Sequence, residues 1–201
     1  MSVVNEKIGV AILAAGFSRR FSGEKLKTSL GNKPLLQWAI DAVAISCADE
    51  AVVIGNNDFL KESFDLKDLN VIINERPEEG ISKSVFLALK WALNNVIEKL
   101  FLTAGDMPFI KGEDYKFLIE KSKYYRDSVI SCSYKHTKGF PTLIPKKYFH
   151  LMNELEGDRG FSQIIKKHKL SHIIIERTWR NVFDIDTQKD FEKAKELLKH
   201  V

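Results

Sequence analysis

The sequence predicts a three-layer αβα sandwich on a mostly parallel sheet. Apolar runs of strand length alternate along the chain with helical patterns of about 10–15 residues, the signature of βαβ units. The first apolar run, Ile8–Leu13, is continuous rather than alternating, as in a strand covered on both faces, and ends in a small-residue turn at Gly16. No repeat, low-complexity stretch or Pro/Gly/Ser linker interrupts the 201 residues, so 1–201 is expected to be a single domain.

Each element follows in order. Pro34 opens the helix PLLQWAIDAVAIS, because its missing N–H is not needed in the first turn. Glu50–Ile54 is the second strand, Asn57–Phe64 a short helix with Phe59, Leu60 and Phe64 on one side, and Asn70–Ile73 the third strand. Gly80 and Ser82 precede the helix Lys83–Val96, whose Val85, Leu89, Ala92 and Val96 form one stripe. Leu100–Thr103 is a strand and Glu113–Lys123 a helix. Ser128–Ser133 and Thr142–Ile144 are strands, and Lys146–Asn153 and Phe161–Lys167 helices. Ile173–Glu176 and Val182–Ile185 are late strands, and Thr187 caps the last helix, QKDFEKAKELLK.

Composition narrows the function classes. Apolar residues make up 44% and charged residues 29%, a soluble globular mix. No apolar run approaches the ~20 residues that cross a bilayer. The first run leads into a glycine loop rather than a signal-peptidase site, so no membrane association is expected. The net charge of +4 is spread along the chain without a basic arm, which argues against nucleic acid. Cys47 and Cys132 are far apart, which excludes zinc-finger and CxxC motifs and fits a reducing, cytoplasmic setting.

In open α/β sheets ligands bind beyond the carboxyl ends of the strands, near a switch in strand order. Four segments fall there. LAAGFSRRFSGEK, Leu13 to Lys25, offers small residues (Ala14, Ala15, Gly16) for close backbone approach and cations (Arg19, Arg20, Lys25) for a triphosphate. It is neither a Walker A loop nor GxGxxG, since Ser18 stands at the second glycine position. The bland reading is a solvated basic loop. In LTAGDMP, Asp106 follows a buried strand, as a hard ligand for Mg²⁺ or as an ordinary cap of the next turn. In VFDIDT, an extended backbone would point Asp184 and Asp186 to one face, to complete a metal site, unless Asp186 caps the last helix. In NERPEEGISKS, Gly80 permits a close turn while Asn74, Ser82 and Ser84 are placed to read a base edge; Ser82 serves equally well as a plain N-cap.

Together these segments resemble the nucleotidyltransferases of molybdenum cofactor synthesis, nearest to the cytidylyltransferase branch. Leu13, Ala14, Ala15, Gly16, Ser18, Arg20 and Lys25 match LAAGxSxRxGxxK, and Lys33 with Pro34 resembles the next element. Asn74, Gly80, Ser82 and Ser84 match the base-contact region, Gly105–Pro108 the metal-binding turn, and DIDTQKDF the closing signature. GFPTLI and LEGDRG resemble acceptor-side elements, and coverage runs from about Ile8 to Phe191. Four positions depart: Ser22 stands for Gly, Phe140 for a common His, and Phe161 and Ser162 for an Ala-Arg pair. An altered acceptor pocket is therefore expected.

The resemblance implies a Rossmann-like fold of the nucleotide-diphospho-sugar transferase type. It implies Mg²⁺-dependent transfer of a nucleoside monophosphate from CTP or GTP to a phosphate-bearing acceptor such as molybdopterin. Leu13 to Gly16, Ser18, Lys25, Asn74, Gly80, Ser82 and Ser84 then hold the nucleotide, with Lys25, Arg20 and Asp106 catalytic. Asp106 with Asp186 or Asp184 holds the metal, and a molybdoenzyme or its maturation chaperone receives the product. CTP is favoured because the guanylyl branch reads LAGG, and Ala15 adds a Cβ to the pocket floor. The rivals are a guanylyltransferase of the same pathway, a sugar-phosphate or isoprenoid nucleotidyltransferase, and a non-catalytic nucleotide-binding regulator.

Overall fold

The computed structural model describes residues 6–16, 21, 24–56 and 59–200, without the side chains of Phe59 and Lys61. Strand β1 (Ile8–Ala14) is buried at every position. Val10, Ile12 and Ala14 enter one apolar cluster, and Ala11 and Leu13 enter another. A period of two thus buries both faces of the strand, which is why its sequence does not alternate. β2 (Ser29–Leu30) and β3 (Lys33–Pro34) form a small antiparallel hairpin leading into helix α1 (Leu35–Ala44). β4 (Glu50–Gly55), α2 (Phe59–Ser63), β5 (Asn70–Ile73), α3 (Ile81–Asn94) and β6 (Lys99–Ala104) follow. The second half contains α4 (Gly112–Ser122), β7 (Val129–Tyr134), β8 (Thr137–Pro145), α5 (Ser162–Lys167), β9 (His172–Glu176) and α6 (Gln188–Leu198).

Seven strands make one sheet in the order β5-β4-β1-β6-β8-β7-β9. β1 is parallel to both β4 and β6, and β4 is parallel to β5. β8 runs antiparallel to its two neighbours, and β9 is parallel to β7. The chain builds outward from β1 to β5, then returns to lay β6 on the other side of β1. The switch point therefore lies between the carboxyl ends of β1 and β6. One cluster packs α1, α2 and α4 on the sheet and a second packs α3, α5 and the 3-10 run Lys146–Glu154. A third cluster (Phe21, Leu30, Leu35, Phe109, Ile185, Phe191) docks α6 beside the switch point.

Several boundaries differ from expectation. Pro34 is the N-cap of α1, one residue before the helix, and its φ of −58° is accompanied by an extended ψ of 152°. Gly80, at φ +83°, is the N-cap of α3, so Ser82 lies inside the first turn rather than capping it. Val96 falls beyond α3 in the left-handed region and is 62% exposed, so the stripe ends at Ala92. Lys146–Asn153 is 3-10 rather than α-helical, and Phe161 is the N-cap of α5. β8 is longer than the expected Thr142–Ile144, because Lys135 and His136 take positive φ and turn β7 into a hairpin with it. Val182–Ile185 is not a strand: Ile185 N donates to Asp106 O at 3.1 Å, and no sheet ladder among the described residues includes the segment. Leu60 and Phe64 of the short second helix are buried as expected, while Asn57 lies outside the described residues. Cys47 and Cys132 are both free thiols; burial, then the Asp114 charge, pushes Cys132 up to about 12.

Candidate active site

The turn after β1 meets the turn after β6 at the switch point. Gly105 N donates to Leu13 O at 2.9 Å, one step past the strand ladder, which carries Asp106 out beyond the strand ends. A Cβ on Gly105 would meet Leu36 Cδ1 of α1 at 2.8 Å, so the turn lies close against that helix. Among the described residues a Cβ on Gly16 would meet nothing within 4 Å, so their packing does not require glycine there. The open space over its backbone suits a ligand instead. A cavity of about 220 Å³ lies here, lined by Leu13, Ala14, Ala15, Gly16, Lys25, Gly80, Ser84 and Asp106 among others. Ser18 and Arg20 lie outside the described residues.

Lys25 is the centre of this crevice. It opens the 3-10 turn Lys25–Lys27 and is 6% exposed. A buried ammonium requires partners. Lys25 Nζ donates to Asp106 Oδ2 and to Ile185 O, both at 2.7 Å, and stands 3.7 Å from Asp186 Oδ1. The segment that carries Asp184 and Asp186 is thus pinned from both sides of Ile185: its N–H to Asp106, its carbonyl to Lys25. The Ile185 side chain is fully buried in the third cluster, worth about 2 kcal/mol of apolar burial.

The alternative in which Asp186 caps the last helix does not hold. Thr187 is the cap, in a capping box with Asp190: Asp190 N donates to Thr187 Oγ1 at 3.2 Å, and Thr187 N donates back to Asp190 Oδ2 at 2.8 Å. The Asp186 carboxylate faces Lys25 instead. Partial burial, followed by the charges of Asp186 and Asp106, raises the Asp184 carboxyl above its ordinary range. Among the described residues three acids thus act on Lys25, a set of hard oxygen donors. Among the described residues no three acidic, imidazole or thiol groups converge as a ready-made metal cluster. Lys25 holds the position between Asp106 and Asp186.

The base-contact residues separate. Ser84 lines the crevice. Asn74 is fully buried with its amide engaged: Nδ2 donates to Ser84 Oγ at 3.1 Å, and Oδ1 accepts from Arg76 N at 3.0 Å. It positions Ser84 rather than lining the crevice. Ser82 Oγ donates to Glu79 O at 3.1 Å. Gly80 needs its missing side chain: a Cβ would collide with the Asp158 carboxylate and come within 2.7 Å of the Gly157 carbonyl. Asp158 Oδ1 accepts from Ile81 N at 3.3 Å, an anion at the α3 N-terminus.

Beyond Asp158 a larger cavity of about 640 Å³ adjoins the first; Leu13, Ile81 and Asp158 line both. The departing residues Phe140, Phe161 and Ser162 line it, together with Asp184, Lys138, Arg159, Lys166 and His172. Lys138, Arg159 and Lys166 have no ion-pair partner among the described residues. Sequence reasoning missed Lys138, Lys166 and His172, while Arg159 lies within the acceptor-side element LEGDRG. Those three come from β8, α5 and β9, so no local motif contains them.

Residues 10–173 match the MobA-like NTP transferase domain. The chain belongs to that family. The MobA-like chain is a nucleotidyltransferase. It is 25% identical over 199 residues to a probable molybdenum cofactor guanylyltransferase of Pyrococcus furiosus, covering 94% of this chain and 97% of that one. Its fold resembles a homologue of Rv0371c from a Mycobacterium species (TM-score 0.82, 24% identity, 97% and 98% covered). Rv0371c of Mycobacterium tuberculosis, solved as a manganese complex, has TM-score 0.76 at 18% identity, with 94% and 98% covered. Molybdopterin-guanine dinucleotide biosynthesis protein A of Archaeoglobus fulgidus has TM-score 0.73 at 16% identity, with 96% and 100% covered. These likenesses accord with the three-layer, mostly parallel sheet.

Proposed function

We propose that this MobA-like transferase moves GMP from GTP onto the phosphate of molybdopterin and releases pyrophosphate. The observation that carries the reading is Lys25, buried among Asp106, Asp186 and the Ile185 carbonyl at the switch point, beside a second cavity with three cations that have no ion-pair partner among the described residues. GTP occupies the crevice over Gly16 and Ser84, and Ser18 and Arg20 serve its phosphates by the family motif. The acceptor occupies the larger cavity, where Lys138, Arg159 and Lys166 face its phosphate in place of the Arg absent at Ser162. That phosphate, with a second pKa of about 6, is largely ionised at neutral pH and attacks the α-phosphorus without a strong protein base. Lys25 meets the charge that develops as pyrophosphate leaves, and the crevice holds the two reactants in line.

A divalent cation, Mg²⁺ or Mn²⁺, would be held by Asp106 with Asp186 and Asp184. Their hard oxygens suit it, and bound there it would neutralise phosphate charge. GTP replaces the CTP expected from Ala15. Curated relatives spanning nearly the whole chain carry the guanylyltransferase name, and one methyl group gives only about 10–200-fold discrimination by shape. No described helix is long and apolar enough to cross a membrane, and we read 1–201 as one cytoplasmic domain that passes its product to a molybdoenzyme or its chaperone.

The test is pyrophosphate release with molybdopterin and each common NTP, with and without Mg²⁺. A higher kcat/KM for GTP is expected. A preference for CTP would overturn the choice of base, and no release with any NTP would overturn the acceptor.

A further inference from the structure

The larger cavity has a polar floor that phosphate binding does not require. His172 Nε2 at the start of β9 lies 3.0 Å from Ser131 Oγ on β7, and Ser131 Oγ lies 3.1 Å from Thr142 Oγ1 on β8. All three line the cavity, and Ser131 is 4% exposed. The row crosses three adjacent strands because Ser131 sits opposite Thr142 in the β7–β8 register while β9 pairs with the other edge of β7. Each hydroxyl both donates and accepts, so the direction of the row can follow what binds it. Burial, and then the Lys138 charge, lowers the imidazole from its usual range, so it is neutral at pH 7 and offers one donor and one acceptor nitrogen. Phe140 and Phe161 line the same space. A neutral row of donors and acceptors beside aromatic walls matches a planar ring with a hydrogen-bonding edge, not an anion.

We propose that His172, held by Ser131 and Thr142, reads the hydrogen-bonding edge of a flat, nitrogen-rich ring on the acceptor and so determines acceptor specificity. This rests on the nucleotidyl-transfer reading above and assigns the ring and the phosphate to different side chains of one cavity. Loss of one hydrogen bond to such a ring costs about tenfold in affinity. His172→Leu is therefore expected to raise the KM for molybdopterin about tenfold while the KM for GTP stays within twofold, and His172→Gln to recover part of the loss. A binding assay separates this from the reaction. 6-Hydroxymethylpterin, which carries the ring without the phosphate, should bind the wild type, and His172→Leu should weaken it by the same factor. Inorganic phosphate should bind both proteins alike. If His172→Leu does not fold, Thr142→Val removes a hydroxyl from the row at nearly constant volume and should show the same pattern in reduced size. Turnover by the wild type with an unchanged molybdopterin KM and unchanged pterin binding in the variants would overturn the inference alone. Absence of wild-type turnover with every NTP would overturn the reading beneath it, and pterin binding would still decide the role of His172.

Discussion

Lys25 and Lys99 are buried almost equally, at 6% and 3% exposure, at opposite ends of the same sheet. Lys99 opens β6, where its Nζ meets Glu6 Oε2 at 2.5 Å, Ser122 Oγ at 3.1 Å and Ser122 O at 3.3 Å. One positive charge faces one negative charge, and α4 closes over them. Lys25 meets the far end of β6, where it faces Asp106 and Asp186 and contributes to the field on Asp184. Among the described residues three carboxylates gather around this one ammonium, and two cavities open beside it. Buried charge alone therefore does not mark the site. Lys99 ties a helix to a strand, whereas Lys25 and its carboxylates line a crevice open to a ligand.

The largest expected effect is that of Asp106→Ala. It removes the carboxylate nearest Lys25 and should lower kcat by about 10³-fold or more, since charge stabilisation supplies most of the rate. Asp186 still faces Lys25, so Tm should fall by only a few degrees, measured by calorimetry beside pyrophosphate release. Near wild-type kcat at saturating Mg²⁺ would make the Lys25 end as structural as the Lys99 end.

Lys25→Ala comes next, with a loss of about 10²–10³-fold in kcat and a smaller change in the KM for NTP. An effect on KM alone would reduce Lys25 to a passive tether. Lys99→Met should invert the pattern. It strands the Ser122 carbonyl and frees Glu6 to water, for a loss of about 1–2 kcal/mol in denaturant unfolding, with kcat within twofold. A large loss of activity there would dissolve the contrast between the two ends. The smallest effect belongs to a pair of serines on one helix. Ser84→Ala should raise the KM for NTP by about threefold to tenfold, and Ser82→Ala by less than twofold, because only Ser84 lines the nucleotide crevice. Equal effects would return Ser82 to the list of nucleotide contacts.

Strands β1, β4 and β6 and the Thr187 cap were legible because the forces that make them are local: continuous apolar runs and a cap with its partner three residues on. Asp106 was legible for the same reason, since a strand end and its turn are contiguous in sequence. The segment Val182–Asp186 was not. Its apolar–acidic alternation resembles a strand, yet Ile185 is held by Asp106, Lys25 and the cluster under α6. Asn74 was read as a base contact because sequence cannot tell which way an amide turns; Ser84 and Arg76 take both of its ends.

By itself the sequence determined the alternation of strands and helices, the glycine turn, the acidic turn and the resemblance they carry, because periodicity and turn chemistry act over a few residues. Tertiary structure alone decided that Lys25 lies between Asp106 and Asp186, and that Lys138, Arg159, Lys166 and His172 share a cavity with Phe140 and Phe161. These groups stand on separate elements, and their meeting depends on strand order and on which face each helix covers. Those follow from burying two sides of one sheet together, a condition on the whole chain that no single stretch contains.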